Sequence, residues 1–176
     1  VGSSSDIYEA WKKAFEADRT SIFGGIVVAN REITKAIAQE MKEIFLEVIV
    51  APSYEPEALE ILQTKKNVRV LELPSITVKQ PENALDIKKI NGGIIVQSID
   101  SKLLDDYKVV TDRKPTDKEL EDLLFTWKIV KYVKSNGIAL GKDKQSIGIG
   151  PGQVNRIWAT EQSVEHAEEL IGEGVT

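Results

Sequence analysis

Apolar positions in the first half of the chain alternate between helical and extended spacing. Residues 6–17 place Ile7, Trp11, Ala14 and Phe15 on one helical face. Phe23–Asn30 is an apolar run that predicts a buried strand. Thr34–Phe45 returns to helical spacing with Ile37, Met41, Ile44 and Phe45, and Glu47–Ala51 is a second short apolar run. Pro56 suits the first turn of a helix through Leu62. Val68–Leu73 alternates as a third strand. This order predicts an α/β fold with a parallel, helix-covered sheet.

The pattern weakens afterwards. Residues 74–90, with Pro74 and Pro81, read as a loop or linker. Gly93–Gln97 is a further strand candidate, and Asn91–Val96 faintly echoes Phe23–Val28. Thr116 and Glu119 form a capping box that opens a helix to about Ser135, with Leu120, Leu123, Leu124, Trp127, Val130 and Lys131 along one side. Gly137–Gly141 and Ser146–Gly150 flank Lys142-Asp143-Lys144 as a hairpin. A last helix, from about Glu161 to Ile171, buries Val164, Ala167, Leu170 and Ile171. The change to helix–hairpin–helix order divides the chain into residues 1–112 and 113–176.

Composition narrows the chemistry. A net charge of −5, from 28 acidic and 23 basic residues, argues against broad phosphate neutralisation on a nucleic acid. The absence of cysteine excludes disulfides, thiolate catalysis and Cys-based zinc sites, and fits a reducing, cytoplasmic setting. No apolar run reaches the roughly 20 residues of a transmembrane helix. Both chain ends suggest a piece of a longer polypeptide.

Lys134-Ser135-Asn136-Gly137 and Gly148-Ile149-Gly150-Pro151-Gly152-Gln153-Val154-Asn155-Arg156 are the candidates for ligand binding. Glycines admit close backbone approach, and arginine offers a donor fork for phosphate or carboxylate. The glycine run is neither a dinucleotide fingerprint nor a P-loop. By itself it also reads as a tight turn, Asn136-Gly137 as a helix stop, Lys134 as a last-turn cation, and Phe23-Gly24 as a close-packed strand start. His166, the only histidine, reads as a surface residue, and Asp105-Asp106 and Glu168-Glu169 as solvated faces.

These segments, taken in order with Ser21–Gly25, Val50–Tyr54, Glu57–Leu59, Asn91–Gly93 and Asp122–Lys128, resemble the transformylase part of the AICAR transformylase/IMP cyclohydrolase family. AICAR is aminoimidazole carboxamide ribonucleotide. The resemblance implies a three-layer αβα fold of tandem cytidine-deaminase-like units, without the deaminase zinc. This chain would span the end of the first unit and the start of the second.

It also implies formyl transfer from 10-formyltetrahydrofolate, as co-substrate, to AICAR in purine synthesis. Asn136 would orient the reacting groups, Arg156 would hold the nucleotide, and Phe23 and Gly24 would border the base. A monovalent cation such as K+, held by backbone carbonyls near Lys134–Asn136, and a homodimer with sites at the subunit contact are implied too. Two departures stand out: Pro151 replaces a common Ala, and Asn155 a common Ser. The family's Lys-His-x-Asn-Pro motif is absent, so the isolated chain is expected to be inactive. The alternatives are a non-catalytic nucleotide- or phosphate-binding module and an assembly domain.

Overall fold

The computed structural model describes residues 1–81 and 83–172. Helix α1 (Ile7–Glu16) starts where the Asp6 carboxylate accepts the Glu9 N–H. Strand β1 (Gly25–Val28), helix α2 (Lys35–Lys42), strand β2 (Leu46–Ala51), helix α3 (Pro56–Gln63) and strand β3 (Arg69–Glu72) follow in the expected alternation. The three strands are parallel, in the order β1-β2-β3.

Periodicity dictates which faces meet. Ile37, Ala38 and Met41 of α2 and Ala58 and Leu62 of α3 are buried with Ile49 and Ala51 of β2, and Trp11 of α1 joins them. Burying a side chain the size of Ile37 or Leu62 contributes about 1.5–3 kcal/mol. Glu40 enters this layer satisfied, accepting from the Tyr8 hydroxyl and the Trp11 indole N–H. Tyr54 fastens two strands, its hydroxyl donating to the carbonyls of Ile49 (3.1 Å) and Leu71 (2.9 Å).

The other face of the sheet is different. Ile26 (66% exposed), Val28 (62%) and Leu71 (51%) share it and face open space. The expectation that Phe23–Asn30 forms a buried strand therefore holds for one side only. The αβα layering implied by the resemblance is present here as its sheet and one helical layer.

Residues 74–90 are not simply a loop. After a 3-10 turn (Pro74–Thr77), strand β4 (Leu85–Ile90) pairs antiparallel with β5 (Gly93–Ser98) across Asn91-Gly92. The echo of Phe23–Val28 in Asn91–Val96 has no structural counterpart, because β1 lies in a parallel sheet and β5 in this hairpin.

Helix α4 (Asp117–Val130) carries the expected capping box. It ends five residues before Ser135, and 3-10-type hydrogen bonds from Tyr132 and Val133 tighten the chain beyond it. Its apolar side is not a core stripe, since Leu123 and Trp127 are exposed. Strands β6 (Ile138–Lys142) and β7 (Gln145–Gly150) form the expected hairpin, with Asp143 and Lys144 both at positive φ and their amides donating to the Asp122 carboxylate.

Helix α5 runs Arg156–Ile171, five residues longer at its start than its apolar spacing suggests. Asn155 supplies the missing start signal by capping Trp158 N–H at 2.8 Å. Ala159, Ser163 and Ala167 are its buried face, and Leu170 and Ile171 are not buried. That face lies directly on β7. A Cβ at Gly148 would fall 1.9 Å from the Ser163 carbonyl oxygen, and one at Gly150 would fall 2.0 Å from that of Ala159. These two glycines serve helix–strand contact rather than a turn. The N-terminal segment reaches this hairpin, with Ser3 N–H donating to Lys144 O and Ser146 N–H to Val1 O, both at 2.9 Å.

Two outcomes follow from this packing. Gly148→Ala forces backbone apart and should cost about 3 kcal/mol or more, read as a lowered urea midpoint; an unchanged midpoint contradicts the close contact. Burial pushes the Tyr54 hydroxyl from its ordinary 10 up to about 12. A raised phenol pKa contributes stability that is whole below the unfolded value and lost as pH rises towards the folded one. Stability should thus fall between about pH 10 and 12, and Tyr54→Phe should lose about 1–3 kcal/mol at neutral pH while flattening that alkaline limb.

Candidate functional site

The sequence-derived site residues fall into two clusters. The first lies where the chain enters β1. Gly24 adopts φ +72°, a conformation that L side chains rarely take, and its N–H donates to Phe45 O at 2.8 Å. That bond holds the turn against the start of β2. Phe23 is consequently thrown outward, 75% exposed, with its ring 5.0 Å from that of Phe45. A Cβ on Gly24 would meet the Phe45 ring at 3.6 Å and the Glu47 carboxylate at 4.0 Å.

Two open clefts share Phe45. One, of about 470 Å³, is bordered by Phe15, Arg19, Phe23 and Lys65. The other, of about 410 Å³, is bordered by Glu47, Lys66, Asn67 and Arg69. The first sets aromatic faces beside Arg19 and Lys65, and the second sets Lys66 and Arg69 beside the Glu47 carboxylate, so both offer cations for an anionic group.

Phe45, Glu47, Lys66 and Arg69, which border these clefts, were not legible in the sequence as cleft residues. Their signal is indirect. Parallel pairing of Gly25 with Leu46, and of Val48 with Arg69, sets three strand beginnings side by side. Residues just before or at those beginnings must then line one rim.

The second cluster surrounds Asn136. Its backbone N–H donates to Gln153 O (3.1 Å), and its carbonyl accepts the Gln153 N–H (3.0 Å). Its side-chain Nδ2 donates to the same Gln153 oxygen at 3.0 Å. Asn136 is half-buried and lies beyond α4 without a positive φ, so it is not a helix stop. It is the clamp between the 131–137 segment and the Gly152 turn. Its Oδ1 is the amide atom left for a ligand.

Gly152, at φ +67°, donates its N–H to Lys134 O at 2.7 Å and closes the turn. Gln153 is fixed in turn by Gln162 at 2.8 Å. Arg156 is the first residue of α5, rather than a loop residue, and its side chain is exposed. Lys134 is exposed nearby. His166 is exposed on α5 as expected, and hydrogen bonds from Ser21 hold the Asp18 carboxyl below its ordinary range.

Among the described residues, no hydrogen bond, ion pair or ring contact joins Phe23 or Gly24 to Asn136 or Arg156. Each cluster is held by its own backbone hydrogen bonds, Gly24 to Phe45 in the first and Asn136 to Gln153 in the second.

A family model described as "AICARFT/IMPCHase bienzyme" matches residues 1–166. The chain is 54% identical over 171 residues to the bifunctional purine biosynthesis protein PurH of Acetivibrio thermocellus, covering 96% of this chain and 33% of that protein. It is 50% identical over 168 residues to PurH of Caldicellulosiruptor saccharolyticus, covering 95% and 32%. It is 51% identical over 169 residues to PurH of a Thermoanaerobacter species, again covering 95% and 32%. The chain thus spans about a third of the length of these curated relatives. With nearly all of its length matched, from the aromatic cleft of the first cluster to the clamp and Arg156 of the second, the chain belongs to the AICARFT/IMPCHase bienzyme family.

Proposed function

We propose that this chain supplies binding surfaces for the formyl transfer from 10-formyltetrahydrofolate to the 5-amine of AICAR, within a protein that is also an IMP cyclohydrolase. The observation that carries the reading is the pair of hydrogen-bonded clusters, each offering part of what such a reaction needs. Phe23, Gly24 and Phe45 border a flat ring. Lys66 and Arg69 offer charge for a phosphate. Asn136 offers an amide oxygen, and Arg156 a guanidinium for the nucleotide.

In the transfer, the amine nitrogen bonds to the formyl carbon and the bond from that carbon to folate nitrogen breaks. The amine loses a proton and the departing folate nitrogen gains one. The AICAR amine is a poor nucleophile because its lone pair is delocalised, so orientation and proton management carry the rate. Asn136 suits orientation because three hydrogen bonds to Gln153 fix its backbone and side chain.

No Lys-His pair borders either cluster among the described residues, and the only histidine lies on the exposed side of α5. On this reading the proton-transfer groups are not supplied by this chain. The same reading includes a homodimer, in which the first cluster of one copy and the second of its partner complete a site. The division at residues 112 and 113 into parts of tandem units, a cytoplasmic location, and a K+ held by carbonyls near Lys134–Asn136 belong to the same proposal. Lys134 O and Asn136 O each accept one amide and retain a second lone pair.

Two measurements test this. The 176-residue chain should show no formyl transfer with AICAR and 10-formyltetrahydrofolate; robust turnover would show that it holds its own proton-transfer groups. In the full-length protein, Arg156→Ala should weaken AICAR binding about tenfold or more by calorimetry, at an unchanged melting temperature, because it removes a charge-assisted contact. Asn136→Ala should lower both the single-turnover rate and the melting temperature, since the same side chain clamps Gln153. A melting loss at an unchanged rate would leave Asn136 a purely structural role. AICAR binding without any folate dependence would favour a non-catalytic nucleotide-binding module.

A further inference from the structure

Among the described residues, the hairpin β4–β5 leaves its backbone edges unpaired and most of its apolar side chains exposed. It is a two-stranded sheet by itself, joined to neither of the other sheets. Leu85, Ile87, Ile94 and Val96 share one face, and all are exposed. Asp86 and Lys88 share the opposite face, ion-paired at 3.1 Å, with Gln97 Nε2 donating to Asp86 at 3.4 Å. An isolated two-stranded hairpin is marginal in water, and three or more strands with an apolar face are needed for independent stability.

The register fixes which backbone groups are free. Ile99 N–H donates to Ala84 O, so 84 and 99 form a hydrogen-bonded pair. Antiparallel pairs alternate between bonded and non-bonded, so residues 86, 88 and 90 point their N–H and C=O groups at β5. Leu85, Ile87 and Lys89 therefore point theirs outward from the β4 edge.

We propose that the β4 edge pairs with the β4 edge of a second copy of this chain, about a two-fold axis at Ile87. This register sets Ile87 against the partner's Ile87, and Leu85 against the partner's Lys89. All three outward-pointing residues of each copy are then satisfied. On the other face Asp86 meets the partner's Lys88, and Lys88 the partner's Asp86, giving two new opposite-charge pairs. The neighbouring two-fold register, centred on Lys88, sets lysine against lysine and leaves Leu85 opposite the turn. The β5 edge, Gly93–Ser98, carries no charge and specifies no register. Charge complementarity and the use of every free backbone group thus select one occupant and one alignment. The product is a continuous four-stranded sheet, β5-β4 joined to its two-fold mate.

The proposal rests on the homodimer reading above and names the element that makes the contact. The chain has no cysteine, so a substituted thiol is unique. Directly opposed residues of a bonded antiparallel pair have Cα atoms about 5.5 Å apart, within disulfide range. Ile87→Cys should therefore cross-link into a covalent dimer under mild oxidation, and Val96→Cys on β5 should not. Asp86→Lys and Lys88→Asp singly should each weaken association about tenfold in sedimentation equilibrium, since each sets like charges opposite twice. Asp86→Lys/Lys88→Asp should restore it.

A dimer that fails to cross-link at position 87, or that links at 96 instead, overturns this edge while leaving the homodimer intact. A monomer at all concentrations overturns both. Single charge variants that associate as the parent does also overturn it, whatever the cross-linking result.

Discussion

The contact of α5 on β7 governs the second half of the molecule. Gly148 and Gly150 let the helix backbone approach until the Ser163 and Ala159 carbonyls occupy the space of two side chains. At that separation only small residues fit, and Ala159, Ser163 and Ala167 are the ones buried. The consequence is positional. A helix held by its backbone cannot shift or roll on repacking of long side chains, so its first turn, with Asn155 and Arg156, has a fixed place relative to the strand end. Gln162, one turn along, then steadies Gln153, which clamps Asn136. Arg156 gains its placement from two glycines it never touches.

The first half is organised differently. Its core comes from apolar side chains between one sheet face and three helices, and among the described residues Ile26, Val28 and Leu71 of the opposite face are exposed. Exposed aliphatic surface on a parallel sheet is unusual, since such sheets are ordinarily covered on both sides. The rim carrying Phe23, Phe45 and Glu47 sits at the strand beginnings of this half-covered sheet. Its geometry depends on the Gly24–Phe45 backbone bond.

Much of this was legible in the sequence, for physical reasons that differ by element. The helices α1, α2 and α3 and the strands between them are amphipathic with strong caps or an N1 proline, so period and punctuation coincide. The Thr116–Glu119 box and the 138–150 hairpin are likewise local. Strand β4 was missed because Lys88, Lys89 and two upstream prolines mask its alternation, and because an unpacked hairpin has no buried face to impose one. The start of α5 was missed because its first turn, with exposed Ile157 and Trp158, shows no core-facing stripe. The glycines of β7 were read as a turn because close helix–strand contact depends on a partner far along the chain. Phe23, Gly24, Asn136 and Arg156 could be named individually, but their grouping into two clusters is a matter of register, which no local pattern carries.

Asn-Gly pairs occur twice in this chain, and their surroundings give them unequal chemical lifetimes. Deamidation at such pairs proceeds when the backbone nitrogen of the glycine can swing onto the asparagine side chain to close a succinimide ring. Asn136-Gly137 is held from swinging, because the Asn136 backbone is bonded on both sides to Gln153 and its amide is occupied. Asn91-Gly92, at the exposed tip of the hairpin, has no such restraint. The bonds that hold Asn136 to Gln153 thereby also restrain ring closure there, and the exposed hairpin tip lacks that restraint.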